Sequence, residues 1–174
     1  MAKYEILSDN FVNGNELYLY IFADSAVTSA GVTGTGDVLA FASSVEVSTE
    51  ASTLDASNKM SCTWNAVIPG NKSYTVNSTA LYTRMAGAFS YDALMNKMLE
   101  ATNVGWAVGR IKEGTGCSSE TGTPTQTFEL DTNAPYYCGH AAITSLSLSA
   151  GNNEIAQCSI TLTGSGAIQI VNVS

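Results

Sequence analysis

Period-two alternation in the C-terminal third of the chain constrains the fold more than any other feature. One parity of the segment 155–171 carries Cys158, Ile160, Leu162, Ile168 and Ile170, and the other carries Ser159, Thr161, Thr163, Ser165 and Gln169. The segment 137–149 alternates too, with Thr144, Leu146 and Leu148 assigned to one face and Ile143, Ser145, Ser147 and Ser149 to the other. Such alternation is typical of half-buried strands, and Gly151-Asn152-Asn153 is a turn signal. The pattern predicts a long hairpin with one aliphatic face and one hydroxyl face.

The same period predicts further strands at 16–22, 38–48, 61–68, 73–82 and 103–111. The first is apolar on both faces, with Leu17, Leu19 and Ile21 opposite Tyr18, Tyr20 and Phe22. It therefore needs a second covering layer, which a neighbouring subunit could supply. We interpret Pro69-Gly70-Asn71 as a turn between two strands and the polar segment 49–60 as a long loop. The polar segment 112–135 is predicted to hold one short strand, at 125–130.

One segment changes to a helical period. Tyr91, Leu94, Met95, Met98 and Leu99 fall on one face of an amphipathic helix, and Ser90 is a suitable N-cap. We expect a helix from about 91 to 101 that buries Leu94 and Leu99. Strands with one embedded helix favour a mainly β fold, an antiparallel sandwich or partly closed barrel. The 174 residues show no linker, so we expect a single domain over 1–174.

Charge and composition argue against several function classes. The net charge is −8 and no Lys or Arg follows Lys112, so a basic patch of the kind that binds nucleic acid is missing. His140 is the single histidine, and the four cysteines form no C-x-x-C pair. These facts disfavour a His-centred catalytic site and a zinc site. The segment 31–36 (GVTGTG) lacks the lysine and the following helix of a phosphate-binding loop. We assign no catalytic, cofactor or metal residues and do not expect an enzyme.

The N-terminal sequence gives an expectation about compartment. Met-Ala-Lys-Tyr-Glu-Ile-Leu lacks the apolar core of a signal peptide. No segment reaches the roughly 18 apolar residues of a membrane helix. We expect synthesis in a cytoplasm and no membrane partner.

Several short segments, in a fixed order along the chain, resemble phage major tail proteins, the tail tube subunits of long, non-contractile tails. The C-terminal hairpin carries most of the likeness, with Ala142-Ile-Thr-Ser-Leu-Ser-Leu-Ser-Ala-Gly-Asn-Asn-Glu followed by Ile160-Thr-Leu-Thr-Gly-Ser-Gly-Ala. Upstream are Ala40-Phe-Ala-Ser-Ser, Ser57-Asn-Lys, Trp64-Asn-Ala-Val-Ile-Pro-Gly and Tyr91-Asp-Ala-Leu-Met. The segment 112–135 fits the family pattern less well.

The resemblance implies a structural virion protein of a phage or prophage. It implies a β-sandwich with one helix, six subunits to a ring, and rings stacked into a tube around a DNA channel. It also implies kinship with the tubes of contractile injection systems. The partners would be further copies of the chain and other tail proteins such as the tape measure and the tail terminator. DNA would be present only in transit, without sequence-specific binding.

Two sets of residues are assigned on this basis. The ring and stacking interface is predicted at Leu17, Tyr18, Tyr20, Phe22, Glu50, Thr53, Asp55 and Asn58. The resemblance implies that the loop 49–60 reaches the adjacent ring, and we expect it to be mobile until the polymer forms. The channel wall is predicted at Ser145, Ser147, Ser159, Thr161, Thr163 and Ser165, because a hydroxyl face without Lys or Arg suits a wall along which DNA slides. An ordinary solvated sheet face fits the alternation equally well.

Two other functions remain open at this level. A tube protein of a contractile injection or secretion system would share the fold. A carbohydrate-binding β-sandwich module would use Trp64, Trp106 and the eight tyrosines as a platform. The lack of a signal peptide counts against that second alternative.

Overall fold

The computed structural model describes residues 14–39, 42–57, 64–83, 89–112 and 128–172. These ranges hold nine strands and one helix. The strands are β1 (Leu17–Ala23), β2 (Val27–Thr28), β3 (Gly31–Val32), β4 (Asp37–Val38), β5 (Ala42–Asp55), β6 (Val67–Leu81), β7 (Val104–Arg110), β8 (Tyr136–Ser149) and β9 (Gln157–Val171). The helix α1 (Tyr91–Leu99) lies between β6 and β7. The mainly β fold with one embedded helix is confirmed.

Seven of the strands form one antiparallel sheet in the order β4-β1-β7-β8-β9-β6-β5, and β2 and β3 form a separate small hairpin. The two ends of the sheet, β4 and β5, do not pair with each other in the described residues, so the sheet is not a closed barrel. All of its pairs are antiparallel, as the short turns of the sequence predict.

The sheet folds over on itself. Tyr74 on β6 and Trp106 on β7 are separated by two strands in the sheet order, yet their ring centroids lie 5.6 Å apart. A core cluster joins the two halves, and it includes Leu19, Ile21, Val76, Leu94, Trp106, Ile160 and Leu162. Apolar side chains from both halves therefore share one interior, as in a sandwich.

A second buried cluster lies on the other face of β1. Tyr20 and Phe22 are buried there with Val27, Leu130 and Tyr136, and the Tyr20 hydroxyl donates to the Glu129 carbonyl at 3.1 Å. Burial, the largest cause, raises the pKa of Tyr20 far above its usual range. The strand needs cover on both faces, as its sequence predicts, but at Tyr20 and Phe22 the chain supplies that cover itself.

Two breaks in alternation displace three residues from their predicted faces. The pairing of β8 with β9 shifts between Ile143 and Ser145, where Thr144 is the extra residue. Ile143 is therefore buried and Thr144 exposed, and the predicted placement of this pair was wrong. A second shift follows Ser165, where Gly166 has φ 88°. It turns Ile170 out to solvent, so the prediction that Ile170 continues the face of Cys158 was also wrong.

The predicted loop 49–60 is wrong over its first half, because β5 continues to Asp55. The predicted turn at Pro69 is also wrong, because β6 runs through it from Val67 to Leu81. Pairing supplies the order: Thr53 lies opposite Pro69 and Leu54 opposite Ile68. A bulge between Ala51 and Thr53 absorbs the Pro-Gly segment. Residues 58–63 and 113–127 lie outside the described part of the chain.

Helix α1 ends two residues before the prediction, at Leu99, and Ala101 has φ 52°. Ser90 precedes it in an extended conformation but makes no side-chain cap bond; its carbonyl accepts from Leu94 N at 3.2 Å. Leu94 is 0% exposed, whereas Leu99 is 76% exposed, so the predicted burial of Leu99 was wrong. With the helix ending at Leu99, that side chain projects beyond the contact made by Leu94.

The contrast between these two leucines gives a matched prediction. Leu94→Ala is expected to lower the free energy of unfolding by about 2–5 kcal/mol, because it leaves a cavity in the core. Leu99→Ala is expected to change it by less than about 0.5 kcal/mol, because the side chain is solvated. Urea denaturation of both variants measures the difference, and equal effects would contradict the placement of α1 over the core.

Candidate functional site

Four strands form a continuous face of short polar side chains, which we call the hydroxyl face. Strand pairing aligns its residues in three rows across β8, β9, β6 and β5. The rows are Ser145–Thr161–Asn77–Glu46, Ser147–Ser159–Thr79–Ser44, and, over the last three strands, Thr163–Thr75–Ser48. These side chains are exposed or half-buried, while Cys158, Ile160 and Leu162 on the opposite side of β9 are buried.

The six residues predicted for the channel wall lie on β8 and β9; five of them are exposed and Thr161 is half-buried. The sequence pattern did not reveal the β5 and β6 half of the hydroxyl face, which adds Ser44, Glu46, Ser48, Thr75, Asn77 and Thr79. The polar residues of β6 alternate in the sequence with Val76, Ser78 and Ala80, which are buried. This alternation is hard to recognise because one of the buried residues is itself a serine. The Ser78 hydroxyl is satisfied there by donating to the Ser44 carbonyl at 2.8 Å.

The hydroxyl face combines hydrogen-bonding groups with negative charge. Its hydroxyls pair across strands, as between Thr144 Oγ1 and Thr163 Oγ1 at 2.9 Å and between Ser43 Oγ and Thr79 Oγ1 at 3.0 Å. Glu46 is the charged residue of the three rows, and no Lys or Arg occupies a position in them. Such a surface binds water well, and its rows have no cationic side chain to hold a phosphate by releasing counterions.

Neither outer edge of this four-stranded part of the sheet is paired with another strand among the described residues. β5 is the last strand of the sheet and has no partner on its outer side in the described residues. β7 pairs with β8 only as far as Ala141, so the outer side of β8 from Ala142 to Ser149 is likewise unpaired by a described strand. Unpaired strand edges are templates for pairing with another chain.

Beyond the sandwich, β5 and β6 continue as a two-stranded ribbon, which we call the arm (50–55 and 67–73). β6 pairs with β9 only from Thr75 onward, so its residues before Thr75 have no partner on β9. The arm is exposed or half-buried on both faces. Leu54 and Ile68 lie opposite each other and are 61% and 54% exposed. Val67 and Trp64 are also exposed. An isolated ribbon with such apolar side chains is marginal in water and marks a contact surface.

Three of the residues predicted for the ring and stacking interface lie on or at the root of the arm and are exposed: Glu50, Thr53 and Asp55. Hydrogen bonds from Ser57, first from its side chain, lower the pKa of Asp55. Leu17 is exposed and Tyr18 half-buried against the ring of Phe128. Tyr20 and Phe22 are buried within the chain, as described above. Asn58 lies outside the described residues.

The glycine-rich segment 31–36 is explained by packing. A Cβ on Gly36 would lie 2.4 Å from the ring of Phe22, and one on Gly31 would lie 2.3 Å from the Tyr136 hydroxyl. In the described ranges, no group of three His, Cys, Asp or Glu side chains is placed to hold a metal ion. Helices in those ranges are too short or too polar to cross a membrane.

Comparison with known proteins identifies the family. Residues 12–170 match the profile of the phage tail tube protein family. The chain belongs to the phage tail tube proteins. A tail tube protein is a structural component of the virion, and self-assembly into a tube is the function of this family. The recognition from the C-terminal hairpin and the ordered upstream segments is confirmed. No curated protein sequence matches this tail tube protein.

Solved structures share the fold of this tail tube protein. The tail of an empty gene transfer agent particle, refined with C6 symmetry, matches with a TM-score of 0.64 at 14% identity, covering 91% of this chain and 98% of the other. The SPP1 tail tube matches with a TM-score of 0.60 at 14% identity, over 94% and 80% of the two chains. The sheath–tube complex of an extracellular contractile injection system matches with a TM-score of 0.54 at 12% identity, over 93% of each chain.

Proposed function

We propose that six copies of this tail tube protein close into a ring through their open strand edges, and that the hydroxyl face lines the channel. The observation that carries the proposal is the four-stranded hydroxyl face, bounded by two edges that no described strand pairs with. A repeated edge-to-edge contact between different edges is heterologous, and a heterologous contact closes into a ring when its rotation is a whole fraction of a turn.

Strand geometry sets the size of such a ring. Joining the four-stranded parts of six subunits makes a barrel of roughly 24 strands, with about 4.8 Å between strands and a tilt of about 40°. The backbone circumference is then about 150 Å and the diameter about 48 Å. A channel of that width accepts a DNA duplex after the short side chains of the hydroxyl face are added.

The chemistry of the hydroxyl face suits a conduit. Lys and Arg contacts hold phosphates by releasing counterions, and none lies in the rows of this face. Glu46 repels phosphate, and the Ser and Thr hydroxyls keep a layer of water on the wall. DNA then passes without binding.

The arm is the proposed contact between successive rings. Its exposed Leu54–Ile68 pair offers an apolar surface on a ribbon that projects beyond the subunit's own core. Burying that pair against a second copy would remove it from water and order the ribbon at once. Glu50, Thr53 and Asp55 lie on or at the root of the arm and complete the proposed stacking interface.

The remaining roles follow from this placement. The chain acts without catalysis, since assembly and passage of DNA require only surfaces. The tape measure would occupy the channel during assembly, and the tail terminator would close the last ring. The likeness to a contractile injection tube favours one second candidate, a tube that works inside a contractile sheath.

Hydrogen exchange on monomer and tube tests the ring contact. On assembly, amides on the outer sides of β5 and of β8 from Ala142 to Ser149 are expected to slow by at least about tenfold, since pairing with a neighbour protects them. Negative-stain images of the same sample should show rings or tubes about a hundred ångströms across, the size of six such domains in a circle. If the amides on the outer sides of β5 and β8 exchange as fast in tubes as in the monomer, the proposed edge pairing is wrong. If no rings form at any concentration, the proposed assembly is wrong.

A further inference from the structure

Tyr74 occupies the root of the arm. It immediately precedes Thr75, the residue at which β6 begins to pair with β9, and it pairs with Thr49 of β5. Tyr74 is 4% exposed, whereas the seven β6 residues before it are exposed or half-buried. Tyr74 is therefore the residue of β6 at which the exposed arm ends and the buried part of the strand begins.

The strands opposite Tyr74 are shaped around its ring. A Cβ on Gly164 of β9 would lie 2.4 Å from ring carbons of Tyr74, and a Cβ on Gly139 of β8 would lie 2.6 Å from its hydroxyl oxygen. These glycines border the positions where β8 and β9 lose register. The ring thus fills a corner beside the register shift between β8 and β9.

The hydroxyl fixes the ring in that corner. It donates to the His140 carbonyl at 2.5 Å, and the Trp106 indole N–H lies 3.5 Å from it as a donor. The ring of Trp106 also packs against the ring of Tyr74. Burial, the largest cause, raises the pKa of Tyr74, so the hydroxyl keeps its proton and remains a donor.

We infer that Tyr74 is a positioning residue for assembly: its buried hydroxyl sets the direction in which the arm leaves the sandwich, and so presents the Leu54–Ile68 surface to a second copy of the chain. This inference rests on the proposed role of the arm. A rigid root favours docking, because a ribbon that moves freely loses conformational entropy when it binds a second copy, and this loss weakens binding.

Tyr74→Phe tests the inference, because it keeps the ring and removes the hydroxyl. We expect exchange of the arm amides at 50–51 and 72–73 to accelerate about tenfold while amides of β7 keep their rates. We expect the lowest protein concentration that forms tubes, measured by sedimentation, to rise about fivefold or more.

Tyr136→Phe is the matched control. Tyr136 is also 4% exposed, and its hydroxyl accepts from Val32 N at 3.2 Å, but it lies in the second cluster with no contact to the arm. It should lose similar thermal stability and assemble like the wild type. Tube formation by Tyr74→Phe at wild-type concentration, or an equal defect in Tyr136→Phe, would overturn the inference.

A second variant covers the case in which Tyr74→Phe does not fold. Gly139→Ala places a methyl carbon 2.6 Å from the Tyr74 hydroxyl oxygen, which must then move, and it should reproduce the exchange and assembly defects. Normal assembly of a folded Gly139→Ala would count against the inference. Failure of the inference is distinguishable from failure of the arm's role: in the first case Leu54 and Ile68 variants still lose tubes, and in the second they do not.

Discussion

Replacing Leu54 and Ile68 by serine is expected to abolish tube formation while leaving a folded monomer. Both side chains are more than half exposed in the single chain, so the core loses nothing. Because only 61% and 54% of their surfaces remain to be buried, burying each on a neighbouring subunit is worth about 1–2 kcal/mol. Loss of both weakens each contact by at least about tenfold, since 1.4 kcal/mol corresponds to a factor of ten. Sedimentation and negative-stain microscopy measure the assembly, and circular dichroism measures the fold.

Leu99→Ser is the control for this double variant. Leu99 is as exposed as Leu54 but lies at the end of α1, away from the arm. It should form tubes at the wild-type concentration. Tubes from Leu54→Ser, Ile68→Ser at that concentration would exclude the arm as the stacking element.

Introducing lysines on the hydroxyl face is expected to block DNA passage. Thr161→Lys with Thr163→Lys puts roughly twelve positive charges into each six-subunit ring, and each can hold a phosphate. The monomer should fold normally, because both side chains point away from the buried Ile160 and Leu162. Tubes should assemble, and the titre of infectious particles should fall on the order of 100-fold or more, because retained DNA is not delivered.

The matched control carries the same charge elsewhere. Asn96→Lys with Asn103→Lys adds two lysines at exposed positions on α1 and just before β7. This variant should give wild-type titre. If the Thr161→Lys, Thr163→Lys variant gives particles at wild-type titre, the channel-wall assignment is wrong. The hydroxyl face is then an ordinary solvated sheet face.

The sequence predicted those parts of the fold in which local pattern and tertiary burial agree. The hairpin of β8 and β9, the helix at Tyr91, and β1 with two apolar faces all follow from periodicity. The C-terminal face of Ser159, Thr161 and Thr163 was also correctly separated from the buried residues.

The errors share one physical cause, which is that strand pairing and burial are not local. Thr49–Asp55 has modest strand propensity, but β6 runs alongside it and supplies its hydrogen bonds. Ile143 and Ile170 changed faces because register shifts in the β8–β9 pair break the alternation. Leu99 fits the helical stripe, but the helix ends there and nothing in the described residues covers it.

The candidate site was predicted only in part for the same reason. Half of the hydroxyl face comes from β5 and β6, and only pairing places Glu46 and Asn77 in one row with Thr161. The need for glycine at 139 and 164 comes from the Tyr74 side chain, which only the tertiary structure brings next to them.

A helical reconstruction of assembled tubes by cryo-electron microscopy tests the central claim most directly. The account predicts six-fold rings in which β5 of one subunit pairs with β8 of its neighbour between Ala142 and Ser149. It also predicts that Thr161, Asn77 and Glu46 face the axis while α1 lies away from it. A tube wall formed by α1, or one in which Thr161 faces the outside, would contradict the account.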